Sequence, residues 1–172
     1  MEHQLRQLFI RQSFSMKETI HPNELTTIDI QDYNNSINSI ILDKIKNKIG
    51  NRCNQHGYVD KDTISLVTRS AGSINTTHFN GDMHFNVIVQ ANICYPTEGN
   101  MISCKVIGTN KIGIFAVNNP VQVIVATAHH DNISIFDGIS KGDTIQVEII
   151  NFKFKLNSDN IQVIGKFIKK IN

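Results

Sequence analysis

Histidines, cysteines and carboxylates are the groups with which a chain of 172 residues could do acid–base, nucleophilic or metal chemistry, and their spacing here favours none of these. The three cysteines, Cys53, Cys94 and Cys104, are odd in number and irregularly spaced, which fits reduced intracellular thiols better than a disulfide framework. A structural zinc site wants paired ligands a few residues apart; the nearest approach is His129–His130, neighbours that would point opposite ways in a strand. No Ser or Cys stands beside a recognisable base with a third group to orient it. His78, His84, His129 and His130 read as loop or strand-end residues. Gly108 and Gly113 lie in a strand–turn context and not before a helix, so no phosphate-cradling loop is expected. The carboxylates are too dispersed to nominate a metal-dependent nuclease centre. The expectation is a non-catalytic chain without metal or cofactor.

Basic and aromatic side chains carry the stronger signal. The formal net charge is +2, but lysines gather at Lys44–Lys48, around Lys105 and Lys111, and from Lys153 to Lys170, while acidic residues are commoner before position 83. That layout permits contact with a nucleic acid strand without making a strong polyanion binder. Phe115 is the best candidate for stacking a base, with Lys105, Lys111, Lys153 and Lys155 as phosphate contacts and Phe152 and Phe154 interleaved with the last two. The alternative reading makes Phe115 a core residue and the lysines a solvated face. Ile and Asn are unusually frequent, which suggests an AT-rich coding genome; the Asn-x-Ser/Thr triplets at Asn75 and Asn132 follow from that bias and are not read as glycosylation sites.

The elements that would position these residues fall into two halves. Leu8–Met16 alternates, with Leu8, Ile10, Phe14 and Met16 on one face, and reads as a half-buried strand ended by His21-Pro22. Thr26, Thr27 and Asp29 are candidate caps for a helix from about Asp29 to Ile49, in which Ile30, Tyr33, Ile37, Ile40, Ile41, Ile45 and Ile49 recur at helical spacing. Gly50 stops it. A polar loop, Asn51–His56, leads to an extended Gly57-Tyr58-Val59, a strand at Ile64–Arg69, and a longer one at Phe85–Tyr95 whose face of Phe85, Val87, Val89, Ala91, Ile93 and Tyr95 is apolar. This half, residues 1–96, is expected to be an α+β domain with a helix on an antiparallel sheet.

Pro96–Asn100 marks the boundary. Residues 97–172 read as an all-β OB-type barrel of five strands: Met101–Ile107, Ile112–Val117, Val121–Ala126, Thr144–Phe154 and Asn160–Ile168. Turns are expected at Gly108-Thr109-Asn110, Asn118-Asn119-Pro120 and Asn157-Ser158-Asp159, with any helical turn confined to His129–Ile139. No stretch approaches the ~18 apolar residues of a membrane span, and Met1–Leu8 carries charges where a signal peptide needs an apolar run. An intracellular protein with no membrane partner is expected.

In order and spacing these features resemble the stalk subunit of archaeal and eukaryotic multisubunit RNA polymerases, the seventh-subunit family. The resemblance rests on Ile20-His21-Pro22, Gly50, Gly57-Tyr58-Val59, Phe85-Asn86-Val87, Ala91, Tyr95-Pro96 and Gly99. In the second half it rests on Ile112-Gly113-Ile114-Phe115, Val121–Ala126, Gly142-Asp143 and Ile164-Gly165. Cys104 stands where a glycine is expected, and Ala128–Lys141 is short. Such departures imply a diverged polymerase, of the kind a large DNA virus encodes. The resemblance implies a tip domain docking on the large core subunits near the clamp through Gly50, Arg52, Gln55, His56, Gly57 and Tyr58. It further implies a small helical partner subunit and an OB domain meeting nascent single-stranded RNA, with the polymerase in nucleus, cytoplasm or virion. The competing reading is a free-standing OB-domain RNA-binding protein or translation-factor mimic, and the loop at 50–58 is then an ordinary polar connection.

Overall fold

Alternating apolar residues build most of what the computed structural model contains; it describes residues 8–27, 29, 31–74, 80–130, 136 and 138–171. β1 (Phe9–Ile20) is longer than its expected core. Leu8, Glu18 and Ile20 are buried and Phe14 and Met16 half-buried, but Ile10, expected inward, is 62% exposed. A short 3-10 turn, Pro22–Thr27, follows. Helix α1 runs Tyr33–Ile49, four residues shorter at its start than its apolar spacing suggested. The Asp29 carboxylate takes the Gln31 N–H at 2.9 Å, a local turn that uses a backbone donor outside the helix, and Asp32 becomes the N-cap. Ile30 and the cap candidate Thr27 have no described side chain. Ile37, Ile41 and Ile45 are buried, while Tyr33 is exposed. Gly50 ends the helix, its N–H bonded to the Lys46 carbonyl at 3.1 Å.

The polar loop expected at 51–56 is instead a tight hairpin of β2 (Arg52–Asn54) and β3 (Gly57–Val59). β4 (Ser65–Arg69), β5 (Ser73–Ile74) and β6 (Met83–Cys94) complete a six-stranded sheet of order β1-β6-β3-β2, with β4 and β5 also pairing β6. Phe85, Val87, Val89, Ala91 and Ile93 are buried as the alternation requires, but Tyr95 is exposed. Helix and sheet are tied by side chains. Lys48 Nζ meets Glu18 of β1 at 2.8 Å, and Arg69 of β4 donates to Asn38 and Asn34 of α1 at 2.7 and 2.9 Å.

The remaining strands are β7 (Met101–Asn110), β8 (Gly113–Asn118), β9 (Val121–Ala126), β10 (Thr144–Lys153) and β11 (Ile161–Ile171). They close a barrel in the order β10-β11-β9-β8-β7. All pairs are antiparallel except β9 with β11, the parallel contact that a crossover carrying β10 makes possible. Irregularities at Val106/Gly108, Gln146/Val147 and Ile149/Asn151 give the strands the bend that closure needs. The first of these lets β7 continue through Gly108–Asn110, where a turn was expected. A Cβ on Gly113 would come within 2.1 Å of the Val125 carbonyl oxygen, so the β8–β9 pair needs a residue without one. Of the Ala128–Lys141 connection, residues 131–135 and 137 lie outside the described residues; a 3-10 turn occupies Thr127–His129.

The chain divides into two compact units, residues 1–10, 52–58 and 93–172 in one, and 11–51 and 59–92 in the other. The barrel's core gathers Ile102, Cys104, Val106, Ile114, Ala116, Val123, Ile145, Val147 and Val163, and takes in Leu8, Cys53 and Cys94 from the same unit.

Candidate functional site

The hairpin of β2 and β3 is held to the barrel by backbone bonds. Cys53 N–H donates to the Ser158 carbonyl at 2.7 Å and the Asn157 N–H to the Cys53 carbonyl at 2.8 Å. Gly57, at φ +125°, packs against the Cys94 carbonyl, and Tyr58 lies half-buried against the barrel core. Of the residues proposed from sequence for docking, Arg52 and Gln55 are exposed and His56 half-buried. Gln55 Nε2 and the His56 ring are 3.1 Å apart, and Asn54 Oδ1 accepts the His56 N–H at 2.7 Å. Arg52, Gln55 and His56 are therefore presented on a short hairpin whose backbone is fixed; Gly57 and Tyr58 serve its packing, and Gly50 ends α1.

The proposed RNA contacts separate into distinct places on the barrel. Lys105 lies opposite Thr144 at the start of β10, whereas Lys153 is at the far end of that strand, on the order of 30 Å of strand away. Lys111 sits in the turn between β7 and β8. Register and strand length thus put Lys111 and Lys153 beyond opposite ends of the β7–β10 pairing. Phe115 is half-buried, opposite Ile124 on β9, and Ile124 in turn pairs with Ile164 on β11. With Ile107, 51% exposed, and Ile164, 41% exposed, it forms a row of apolar side chains across four strands, in which it alone is aromatic.

Lysine and aromatic side chains do meet at the β10–β11 hairpin. An open depression of about 210 Å³ is lined by Lys153, Phe154, Lys155, Ser158, Asn160 and Gln162. Phe154 stacks near-parallel on Phe152 at 6.4 Å, with Tyr95 edge-on to both at 5.2 and 6.2 Å. Sequence spacing alone suggested Phe152 and Phe154 as neighbours; Tyr95 as their partner had no signal beyond its aromatic type. A second depression, about 250 Å³, lies beside Lys111 and includes Thr109, Asn110, Thr127 and Phe136.

Among the described residues no group of three or more metal-ligating side chains gathers, and no helix is long and apolar enough to cross a membrane. Burial pushes the thiols of Cys94 and Cys104 up to about 12 and, with the nearby Asp159 charge, that of Cys53 to about 11. All three are buried and free, so none is a thiolate nucleophile near neutral pH. His21 meets the Asp82 carboxylate at 2.6 Å, and that bond holds Asp82 below the usual carboxylate range. His84 Nδ1 lies 2.9 Å from Thr19 Oγ1. His130 is a clasp: its Nε2 accepts the Phe167 N–H at 2.9 Å, so Nδ1 carries the hydrogen and donates to the Ala126 carbonyl at 3.0 Å.

The chain is 28% identical over 145 residues, 77% of its length and 72% of the other's, to a protein of Acanthamoeba polyphaga mimivirus described as "Putative DNA-directed RNA polymerase subunit L376". Among solved structures it is similar to GSP13 of Bacillus subtilis, at 20% identity and a TM-score of 0.35, over 42% of this chain and 55% of GSP13, little more than half of that protein. No family model matches the sequence.

Proposed function

We propose that this chain is a non-catalytic stalk subunit of a multisubunit, DNA-directed RNA polymerase of the type large DNA viruses encode. The observation that carries the reading is the similarity across 77% of the chain to the mimivirus protein described as an RNA polymerase subunit. In this reading the barrel is an OB domain, whose order of three antiparallel strands, a parallel fifth and a closing fourth suits that fold, and the tip domain is drawn from residues 1–96, of which 1–10, 52–58 and 93–96 belong to the barrel's compact unit. The Arg52, Gln55 and His56 side chains dock on the large core subunits near the clamp, with Gly50, Gly57 and Tyr58 shaping the hairpin and its approach. Its fixed backbone lowers the ordering cost of binding. A small helical subunit completes the stalk, and nascent single-stranded RNA meets the barrel through Lys105, Lys111, Phe115, Lys153 and Lys155. The protein then resides inside the cell or virion with the polymerase.

The test is a tip variant, Arg52→Ala with His56→Ala, assayed for association with the purified polymerase core. Both side chains leave the barrel core untouched, so folding is expected to persist while association falls at least tenfold. Undiminished association with a folded variant removes the docking assignment. A free-standing RNA binder is the second reading, favoured by the lysine–phenylalanine depression alone, and it predicts no association in either form.

A further inference from the structure

We propose that the trough between helix α1 and strand β4 binds an extended segment of a partner protein, added to the sheet as a further strand, with an aspartate or glutamate side chain of that segment seated on Arg69. The site lies wholly within the unit formed by residues 11–51 and 59–92; it shares no residue with the docking hairpin or the barrel and does not depend on the polymerase reading. Among the described residues β4 pairs with β6 alone, so the outer row of its backbone N–H and C=O groups has no strand beside it. Such an edge can take up an extended segment through main-chain hydrogen bonds. β4 has five residues, about 17 Å of strand, and its irregularity at Leu66/Thr68 breaks the flat edge on which open-ended stacking depends. It therefore suits one short segment and not a growing sheet. The irregularity also leaves Val67 57% exposed, an apolar contact for a side chain of the incoming strand.

Arg69 decides the charge of the occupant. The trough is an open depression of about 410 Å³ lined by Asn34 and Asn38 of α1 and by residues 66–71. Arg69 is half-buried in its wall, with its guanidinium 5.4 Å from the centre of the Phe85 ring. A guanidinium carries five N–H donors. Three are used, on Asn38 Oδ1 at 2.7 Å, Asn34 Oδ1 at 2.9 Å and the Ser70 carbonyl at 3.2 Å, which leaves two. All three acceptors are neutral, and Arg69 enters no ion pair among the described residues. The carboxylates at the start of α1 are engaged elsewhere: Asp29 takes the Gln31 N–H at 2.9 Å, and Asp32 the Asn35 amide at 2.8 and 3.0 Å. Asn34 and Asn38, with their oxygens on Arg69, keep N–H groups for the trough. The wall is thus rich in donors around one uncompensated cation, the complement of a single carboxylate. A nucleic acid strand brings a charge at every phosphate, for which one cation in the lining is a poor match. Ser70 and Ala71 line the depression beyond Arg69, so the carboxylate belongs to a side chain along the segment and not to a chain end.

The test titrates the isotope-labelled, full-length chain with an octapeptide of alternating Thr and Val that carries one central Asp, and with the same peptide carrying Asn, followed by NMR. The Asp peptide is expected to shift the backbone amides of Ser65–Arg69 and to bind about tenfold more tightly than the Asn peptide, the range of a hydrogen bond to a charged group. Arg69→Gln, with thermal stability retained, binds both peptides at the level of the Asn peptide. Val67→Glu, which sets a like charge on the exposed edge and leaves Arg69 in place, weakens the Asp peptide more than the Asn peptide. Because Arg69→Gln also loosens α1 from β4, the change from Asp to Asn in the peptide tests the carboxylate without altering the protein. Shifts confined to residues outside β4 and the trough, or none at millimolar peptide, overturn the site, and equal affinity for the two peptides overturns the seating of a carboxylate on Arg69. An RNA dodecamer that shifts the same amides more strongly than the peptide makes the trough a polyanion site, and a peptide-free dimer that Val67→Glu disperses makes a second copy of this chain the occupant; either result overturns the proposal.

Discussion

Gly57→Ala tests whether the β2–β3 hairpin is fixed as described. Gly57 has φ +125°, and a Cβ there would lie 2.5 Å from the Cys94 carbonyl oxygen and 2.9 Å from Ile93 Cγ2. An L-residue in such a conformation costs about 1–3 kcal/mol, and displacing a backbone carbonyl in packed surroundings adds about 1–3 kcal/mol. The expected destabilisation is therefore roughly 2–6 kcal/mol, a large share of the ~5–15 kcal/mol that stabilises a typical domain. Gly99→Ala is the control: it too has positive φ, +84°, but a Cβ meets nothing within 4 Å, so it bears only the conformational part, about 1–2 kcal/mol. Urea unfolding followed by circular dichroism reads the difference. If Gly57→Ala is no less stable than Gly99→Ala, the hairpin is not packed against the Cys94 backbone and the fixed presentation of Arg52 and His56 goes with it.

Three further outcomes follow from named contacts. Lys48→Met leaves Glu18, whose side chain is 6% exposed, without its partner; a destabilisation of about 1–2 kcal/mol is expected, partly regained when Glu18→Gln is added, and an unchanged urea midpoint would show the pair to be inert. His130→Ala strands the Phe167 N–H and removes the ring from its 5.0 Å contact with Phe136, at a cost of about 2 kcal/mol readable by thermal melting; a melt like the parent's would refute the clasp. Side-chain bonds from Lys44, His21 and Lys170 hold Glu24, Asp82 and Asp143 below the usual carboxylate range. A carboxylate lowered on folding stabilises fully above its unfolded value and ceases to do so as pH falls through the folded one. Stability should thus decline below about pH 5, and less steeply in Glu24→Gln, Asp82→Asn, Asp143→Asn; an equal slope in that variant contradicts the assignment.

The barrel was legible because its strands alternate and its turns are marked by Asn, Gly and Pro: Val121–Ala126 begins and ends as read, and the others differ by a few residues where β-bulges let a strand run on past Gly108. The hairpin at Arg52–Val59 was not, because strands of three residues hold too little pattern. Its pairing with Asn157 and Ser158 joins segments about a hundred residues apart, and no local signal announces it. Candidate site residues were nominated by type, which carries no information on place. Lys105 and Lys153 look equivalent as lysines on patterned strands, and only register and strand length separate them. Tyr95, read as the last inward residue of β6, is exposed and braces Phe152 and Phe154 because the apolar alternation ends at the buried Cys94.

The most direct measurement is the protein content of the complex recovered when this chain, tagged and expressed in its native setting, is purified through high salt. Recovery of the large polymerase subunits in stoichiometric amount, together with a small helical chain, is the predicted result. A chain that elutes alone, or with transcripts and no polymerase, contradicts the assignment.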